Sequence, residues 1–134
     1  MITRPSPVKL ALSISLENVD VGWENLVNLE LNCTPLNGVL QVIRDALLLE
    51  ICTLVYSSLP IAGVPTIIRH PQLRTLRFVS MRNDIFTTLI DSLELPSLES
   101  WRLSSANVIS VDNIVSFLKR SACSVKMLRL RHDI

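Results

Sequence analysis

The sequence predicts an α/β fold in which short parallel strands alternate with helices or loops and stack side by side. The first observation behind this prediction is a six-residue phrase, Leu-x-x-Leu-x-Leu, whose leucine positions also accept other apolar residues. The phrase recurs at 26–31, 49–54, 73–78, 98–103 and 125–130. The second observation is its spacing, because successive phrases begin 23 to 27 residues apart. The third is the composition, 49% hydrophobic and 19% charged, which excludes a disordered polar chain.

Apolar phrases that repeat with a period in the twenties are typical of leucine-rich repeats. We therefore expect a short right-handed solenoid with a concave parallel β-sheet and with helices or loops on the convex side. A single array is expected over residues 1–134, incomplete at one or both ends, because no polar capping repeat follows the last phrase. Ahead of the first phrase, an apolar run predicts a possible extra strand over 10–16.

Three segments between the phrases place their apolar residues at helical spacing. These predicted helices cover 38–48, 84–93 and 110–120. Asn37 stands just ahead of the first helix and Asp84 is the first residue of the second. Both are predicted to be N-caps, because a short polar side chain can accept a hydrogen bond from the first free amides.

The connection over 57–71 departs from this pattern. It contains four residues that interrupt regular structure, Pro60, Gly63, Pro65 and Pro71. Proline removes a backbone donor and glycine weakens a helix, so we expect irregular backbone here with at most a single turn over 66–69.

Bulk properties exclude several classes of partner. The formal net charge of +1 gives no general attraction to nucleic acid or to an anionic membrane. The most apolar stretch, 46–65, is interrupted by Glu50 and by prolines, so no membrane span is predicted. Three cysteines without a Cys-x-x-Cys pair fit neither a disulfide framework nor a zinc site. These features predict a soluble protein of a reducing compartment, cytoplasmic or nuclear.

Catalytic chemistry has few candidate residues in this chain. The two histidines, His70 and His132, lie in different repeats without companion ligands, and we expect His70 to be an exposed loop residue. No metalloprotease, nucleophile-elbow or phosphate-loop motif occurs, and there are three glycines in the whole chain. The sequence therefore predicts a protein that is not an enzyme and that binds no metal or cofactor.

The residues between the leucines offer a candidate binding face. The concave side of the predicted sheet would carry, on successive strands and at the sheet's flank, Glu30, Thr53, Arg77, Arg102, Arg129 and Arg131. Such arginines fit the acidic or phosphorylated segment of a partner protein, since guanidinium groups pair with carboxylate and phosphate. The alternative is that their stems cover apolar sheet while their charged heads stay in water.

Nucleic-acid binding along the same arginines is a second alternative. It would call for stacking aromatic residues on the open face, yet aromatics make up 4% of the chain. Both tryptophans are expected in or against the core, Trp101 in a leucine position and Trp23 at the first end of the array. This interpretation is therefore disfavoured.

Two longer stretches carry a family resemblance. Residues 93–103, Leu-Glu-Leu-Pro-Ser-Leu-Glu-Ser-Trp-Arg-Leu, together with 114–123, resemble the repeat region of fungal F-box proteins, mainly from mushroom-forming basidiomycetes. Residues 36–40 and 48–54 match the same style. The resemblance implies a region that recruits substrates to a cullin-type ubiquitin ligase. The F-box that would bind a Skp-type adaptor is not evident in this chain, so that partner is implied only if an F-box lies outside it.

We therefore expect a non-catalytic protein–protein interaction module, the substrate-recruiting repeat region of an F-box-like protein. The alternatives are anion or nucleic-acid binding along the concave arginines, or a truncated product without independent function.

Overall fold

The computed structural model describes residues 7–12, 22–32, 36–55, 67–80, 83–105 and 111–132. Within these residues, strands and helices follow one another along the chain as the spacing of the phrases predicts. In chain order they are β1 (Lys9–Leu12), β2 (Asn28–Asn32), α1 (Leu36–Asp45), β3 (Ile51–Val55), β4 (Ile68–Arg69), β5 (Thr75–Val79), α2 (Asn83–Asp91), β6 (Leu93–Glu94), β7 (Ser100–Ser105), α3 (Val111–Ser121) and β8 (Met127–His132).

Six of the strands form one sheet in the order β1-β2-β3-β5-β7-β8, and all neighbours are parallel. The register aligns the fourth position of every phrase across the sheet, at Leu29, Cys52, Leu76, Trp101 and Leu128. Each of the five phrase strands begins two residues after the first apolar residue of its phrase. The α/β class with a parallel sheet is thus confirmed. The extra strand predicted over 10–16 is observed as β1, while residues 13–16 lie outside the described part of the chain.

Helix boundaries differ from the prediction by a few residues. α1 begins at Leu36 and α2 at Asn83, so Asn37 and Asp84 lie inside their helices and are not the predicted N-caps. α1 ends at Asp45 because the chain then turns, with the Leu49 amide donating to the Ala46 carbonyl at 3.1 Å. This turn carries Leu49 to the buried side of the sheet, where it is fully covered.

The region around β4 and β6 corrects two predictions. The helix predicted to reach residue 93 ends at Asp91, and Leu93–Glu94 forms β6. The turn predicted over 66–69 is wrong at Ile68–Arg69, which forms β4 and pairs with β6 in parallel. The reason is that the Ile68 amide donates to the Ser92 carbonyl at 2.8 Å, so this carbonyl is bonded outside the helix. Residues 57–66 of this connection lie outside the described part of the chain.

One hydrophobic core fills the space between the six-stranded sheet and the helices. Its centre is aromatic: the ring centroids of Trp101 and Phe117 are 5.1 Å apart, and Phe78 meets both Phe86 and Trp101 edge-on at 6.1 Å. Trp101 is completely buried, as predicted, and Trp23 packs partly buried against the same core. Because one sheet face is covered by this core, the other face is left to the polar residues between the leucines.

Candidate binding face of the sheet

The predicted site residues on the strands lie side by side. Backbone register pairs Glu30 with Thr53, Thr53 with Arg77, Arg77 with Arg102 and Arg102 with Arg129. Thr53 is half-buried and the other four are exposed. Alternation along each strand explains this, since their neighbours on both sides point to the opposite, core side of the sheet. We call Arg77, Arg102 and Arg129 the arginine row.

Arg131 belongs to the neighbouring column of the same face. It lies two residues after Arg129 on β8 and is in register with Ser104 of β7. Because residues two apart on a strand share a face, Arg129 and Arg131 extend the positive charge along β8 as well as across the sheet. The six predicted site residues are therefore on one face, which is a geometric result; their role in binding stays a prediction.

In the described part of the chain, the arginine row has no acidic neighbour to compensate it. Among the residues that the structure describes, no carboxylate lies within 4.0 Å of the guanidinium group of Arg77, Arg102 or Arg129. Neighbouring strands are about 4.8 Å apart, so three positive side chains start at adjacent points of the sheet. Like charges directly beside one another destabilise a sheet, and a bound anion would relieve that repulsion.

A second row of charges, at the second position of the phrases, shows the opposite arrangement. Its members lie directly ahead of four strands and alternate in sign, and we call them the alternating row: Glu50, Arg74, Glu99 and Lys126. Backbone bonds hold these residues in order, since the Arg74 amide donates to the Glu50 carbonyl and the Glu99 amide to the Arg74 carbonyl, both at 2.9 Å. Lys126 Nζ lies 3.9 Å from Glu99 Oε1. The alternation is visible in the sequence, but our sequence reasoning missed it.

The contrast between the two rows bears on function. The alternating row lies directly ahead of β3, β5, β7 and β8, and the arginine row lies within the last three of these strands. The fold can therefore place charges in a compensated order, and it does so at the second phrase position. At the fifth position it carries three arginines in succession. The repulsion in the arginine row is therefore a local property of that row and not a general consequence of the chain's composition.

The rest of the open face is partly apolar. Ile51 and Val55 of β3 are half-buried, and Val79 of β5 is exposed. On the last two strands one flank carries the polar Ser104 and Arg131. On the other flank, the Ser100 hydroxyl donates to Sδ of the exposed Met127 at 3.8 Å. The open face therefore has apolar positions beside the cationic row.

His70 corrects another prediction. It is 2% exposed and not an exposed loop residue. Its Nε2 lies 2.7 Å from the Ala46 carbonyl oxygen, and its Nδ1 accepts from the amides of Leu73 at 3.1 Å and Gln72 at 3.3 Å. All of its polar capacity is used by the backbone, so the ring has a structural role. His132 belongs to β8.

The described cysteines are poor nucleophiles. Burial raises the pKa of the Cys52 thiol to about 12, as expected for a small buried residue in a leucine position. Partial burial also raises the pKa of Cys123. Cys33 lies outside the described residues. Within the described ranges, no group of three His, Cys, Asp or Glu residues is placed to hold a metal ion.

Comparison of the chain with protein-family models, with curated proteins and with solved structures gives no match. In the part of the chain that the structure describes, every helix is too short or too polar to cross a bilayer.

Proposed function

We propose that the chain is a non-catalytic protein-binding module, a short leucine-rich-repeat solenoid whose open sheet face is the concave side. Its arginine row would receive a segment of a partner protein that carries acidic or phosphorylated residues. The single observation that supports this most is the succession of Arg77, Arg102 and Arg129 on adjacent strands without a carboxylate within 4.0 Å in the described structure.

The chemistry of guanidinium favours such a ligand. Its planar fork donates two parallel hydrogen bonds to a carboxylate or phosphate, which gives geometric selectivity in addition to charge. Three guanidinium groups on adjacent strands would bind several acidic groups of one segment. The apolar positions Ile51, Val55 and Val79 on the same face would contact its uncharged side chains.

The biological setting that we propose rests on the resemblance of the repeats to those of fungal F-box proteins. In that setting the module recruits substrates to a cullin-type ubiquitin ligase, in the cytoplasm or nucleus. A Skp-type adaptor would join it through an F-box outside this chain.

Nucleic-acid binding along the arginine row is the weaker candidate. Single-stranded nucleic acid is held by stacking on exposed aromatic side chains, and every described aromatic ring belongs to the core or packs against it. A truncated product without its own function is the remaining alternative, and it predicts no selective ligand at all.

The test is affinity capture from cell extract with three baits: the unmodified chain, Arg102→Glu, and Arg44→Glu as a matched control. Arg44 is exposed on α1, so the control makes the same charge change away from the sheet face. We expect proteins retained by the unmodified chain and by Arg44→Glu to be lost from Arg102→Glu, and to elute as salt is raised. Equal retention by all three baits would contradict the proposal. Capture that disappears after nuclease treatment would favour the nucleic-acid alternative.

A further inference from the structure

β8 is the edge strand of the sheet in the described structure, and its core-side residues are uncovered. Leu128 is 42% exposed and Leu130 is 43% exposed. Their register partners on β7, Trp101 and Leu103, are 0% and 1% exposed. Residues at these two positions of the phrase are therefore buried on β7 and half-exposed on β8.

The backbone of β8 also has groups available on its outer side. The Met127 amide donates to the Glu99 carbonyl at 3.0 Å, which turns Met127 toward β7. In a parallel ladder, alternate residues direct both backbone groups to the same side. Arg129 and Arg131 therefore also bond toward β7, and the amide and carbonyl groups of Leu128 and Leu130 face the open side. An edge of this kind binds extended segments by adding them as a further strand.

The side chains of β8 indicate which residues an added strand should contain. On the open face it presents the exposed Arg129 and Arg131, and on the core side it presents the half-exposed Leu128 and Leu130. A strand added beside β8 would place alternate residues next to each pair. The matching sequence alternates acidic residues with apolar ones.

We propose that β8 is a strand-addition site for an extended segment of a partner protein in which acidic and apolar residues alternate. The preference for acidic residues rests on the function proposed above, since Arg129 belongs to the arginine row, whereas the backbone pairing does not. The segment would run along β8, and a ligand of the arginine row would instead cross the strands.

Charge argues against a second copy of this chain as the occupant. Antiparallel pairing of β8 with another β8 would set Arg129 and Arg131 beside the same residues of the second copy. In the register of the sheet, the opposite edge strand, β1, offers Ala11 at the position of Arg129 and Lys9 at the position of Met127. Neither described edge strand of a second copy supplies a carboxylate beside Arg129.

The test uses a fluorescein-labelled peptide of alternating glutamate and valine, about eight residues long so that it spans β8. A control peptide of the same composition has all its glutamates first and all its valines last. Leu130→Pro removes one outward amide without removing a bond to β7, and Leu130→Ala trims the same side chain while keeping that amide. We expect the alternating peptide to bind, and Leu130→Pro to bind about tenfold more weakly than Leu130→Ala.

A second measurement does not depend on any variant. Hydrogen exchange of the unmodified chain should show that the amides of Leu128 and Leu130 gain protection when the alternating peptide is added. Equal binding of both peptides, equal binding by the two Leu130 variants, or unchanged exchange at Leu128 and Leu130 would each overturn the proposal. If Leu130→Pro fails to fold, the exchange result decides.

Each of the two proposals can be disproved without disproving the other. A chain with Arg77→Glu and Arg102→Glu keeps β8 intact, so it should lose the partners of the arginine row and still bind the alternating peptide. Loss of peptide binding in that variant, with full binding by Leu130→Pro, would show that the row takes the peptide and that β8 does not.

Discussion

The Nε2 atom of His70 lies 2.7 Å from the carbonyl oxygen of Ala46, a residue 24 positions earlier in the chain. Because Nδ1 accepts from the Leu73 and Gln72 amides, Nε2 carries the ring hydrogen and donates it to Ala46. The buried ring of His70 therefore connects the residue directly after α1 to the start of the phrase at 73–78.

Replacing His70 with alanine should destabilise the fold by about 2–4 kcal/mol, because one carbonyl and two amides lose their partner in a buried place. His70→Asn should lose less, since its side-chain oxygen can replace Nδ1 as an acceptor while the bond to Ala46 is lost. Urea unfolding of both variants measures the difference. If His70→Ala costs no more than the exposed change Gln72→Ala, the role assigned to the ring is wrong.

Reversing one charge in each row should shift stability in opposite directions. Arg102→Glu places an acid between Arg77 and Arg129, and we expect a gain of about 0.2–1 kcal/mol at low salt. Glu99→Arg sets a third positive charge between Arg74 and Lys126, and we expect a loss of similar size. Thermal unfolding at low and high ionic strength is the measurement, and both effects should shrink in salt. A loss of stability in Arg102→Glu would support the alternative in which the arginine stem covers the sheet.

The thiol of Cys52 should remain unmodified by iodoacetamide in the folded protein at pH 8 and react fully after denaturation. Its pKa is raised from 9.0 to about 12 by burial, so the folded state holds the proton that the unfolded state releases. The stability that Cys52 contributes is therefore complete below pH 9 and declines as the pH rises toward 12. Peptide mass mapping measures the labelling. A stability difference between the unmodified chain and Cys52→Ala that stays constant between pH 8 and pH 11 would contradict this.

Ala122, the residue directly after α3, lies in the left-handed region, with φ of 53°. Its amide donates to the Leu118 carbonyl at 3.0 Å, the bonding expected just after a helix. Glycine adopts this conformation without a Cβ clash, so Ala122→Gly should stabilise the fold by about 0.5–1 kcal/mol. Ser116→Gly, at an exposed position inside α3, should have the opposite sign. Denaturant midpoints of the two variants compare them directly, and a destabilised Ala122→Gly would refute the prediction.

The sequence predicts the sheet well and the connections less well, for a physical reason. The fourth position of the phrase is always apolar, at Leu29, Cys52, Leu76 and Trp101. Burying this residue on one strand therefore fixes the register of the next strand. The same logic places the arginine row. The two-residue strands β4 and β6 have no periodicity to recognise.

Long-range polar contacts explain the remaining errors. The burial of His70 depends on Ala46, which comes from a different segment of the chain, and no local sequence pattern predicts that partner. The alternating row is a different case, because its signs can be read at one position of successive phrases once the phrases are aligned.

The aromatic centre of the core also supplies an optical reporter. Trp101 is fully buried, and its indole packs against the rings of Phe78, Phe86 and Phe117. Such a ring emits at shorter wavelengths than one in water, and it lies on β7, the strand directly beside β8. Once Trp23 is replaced by phenylalanine, the emission of Trp101 can therefore follow loosening of the β8 end of the sheet without any attached label.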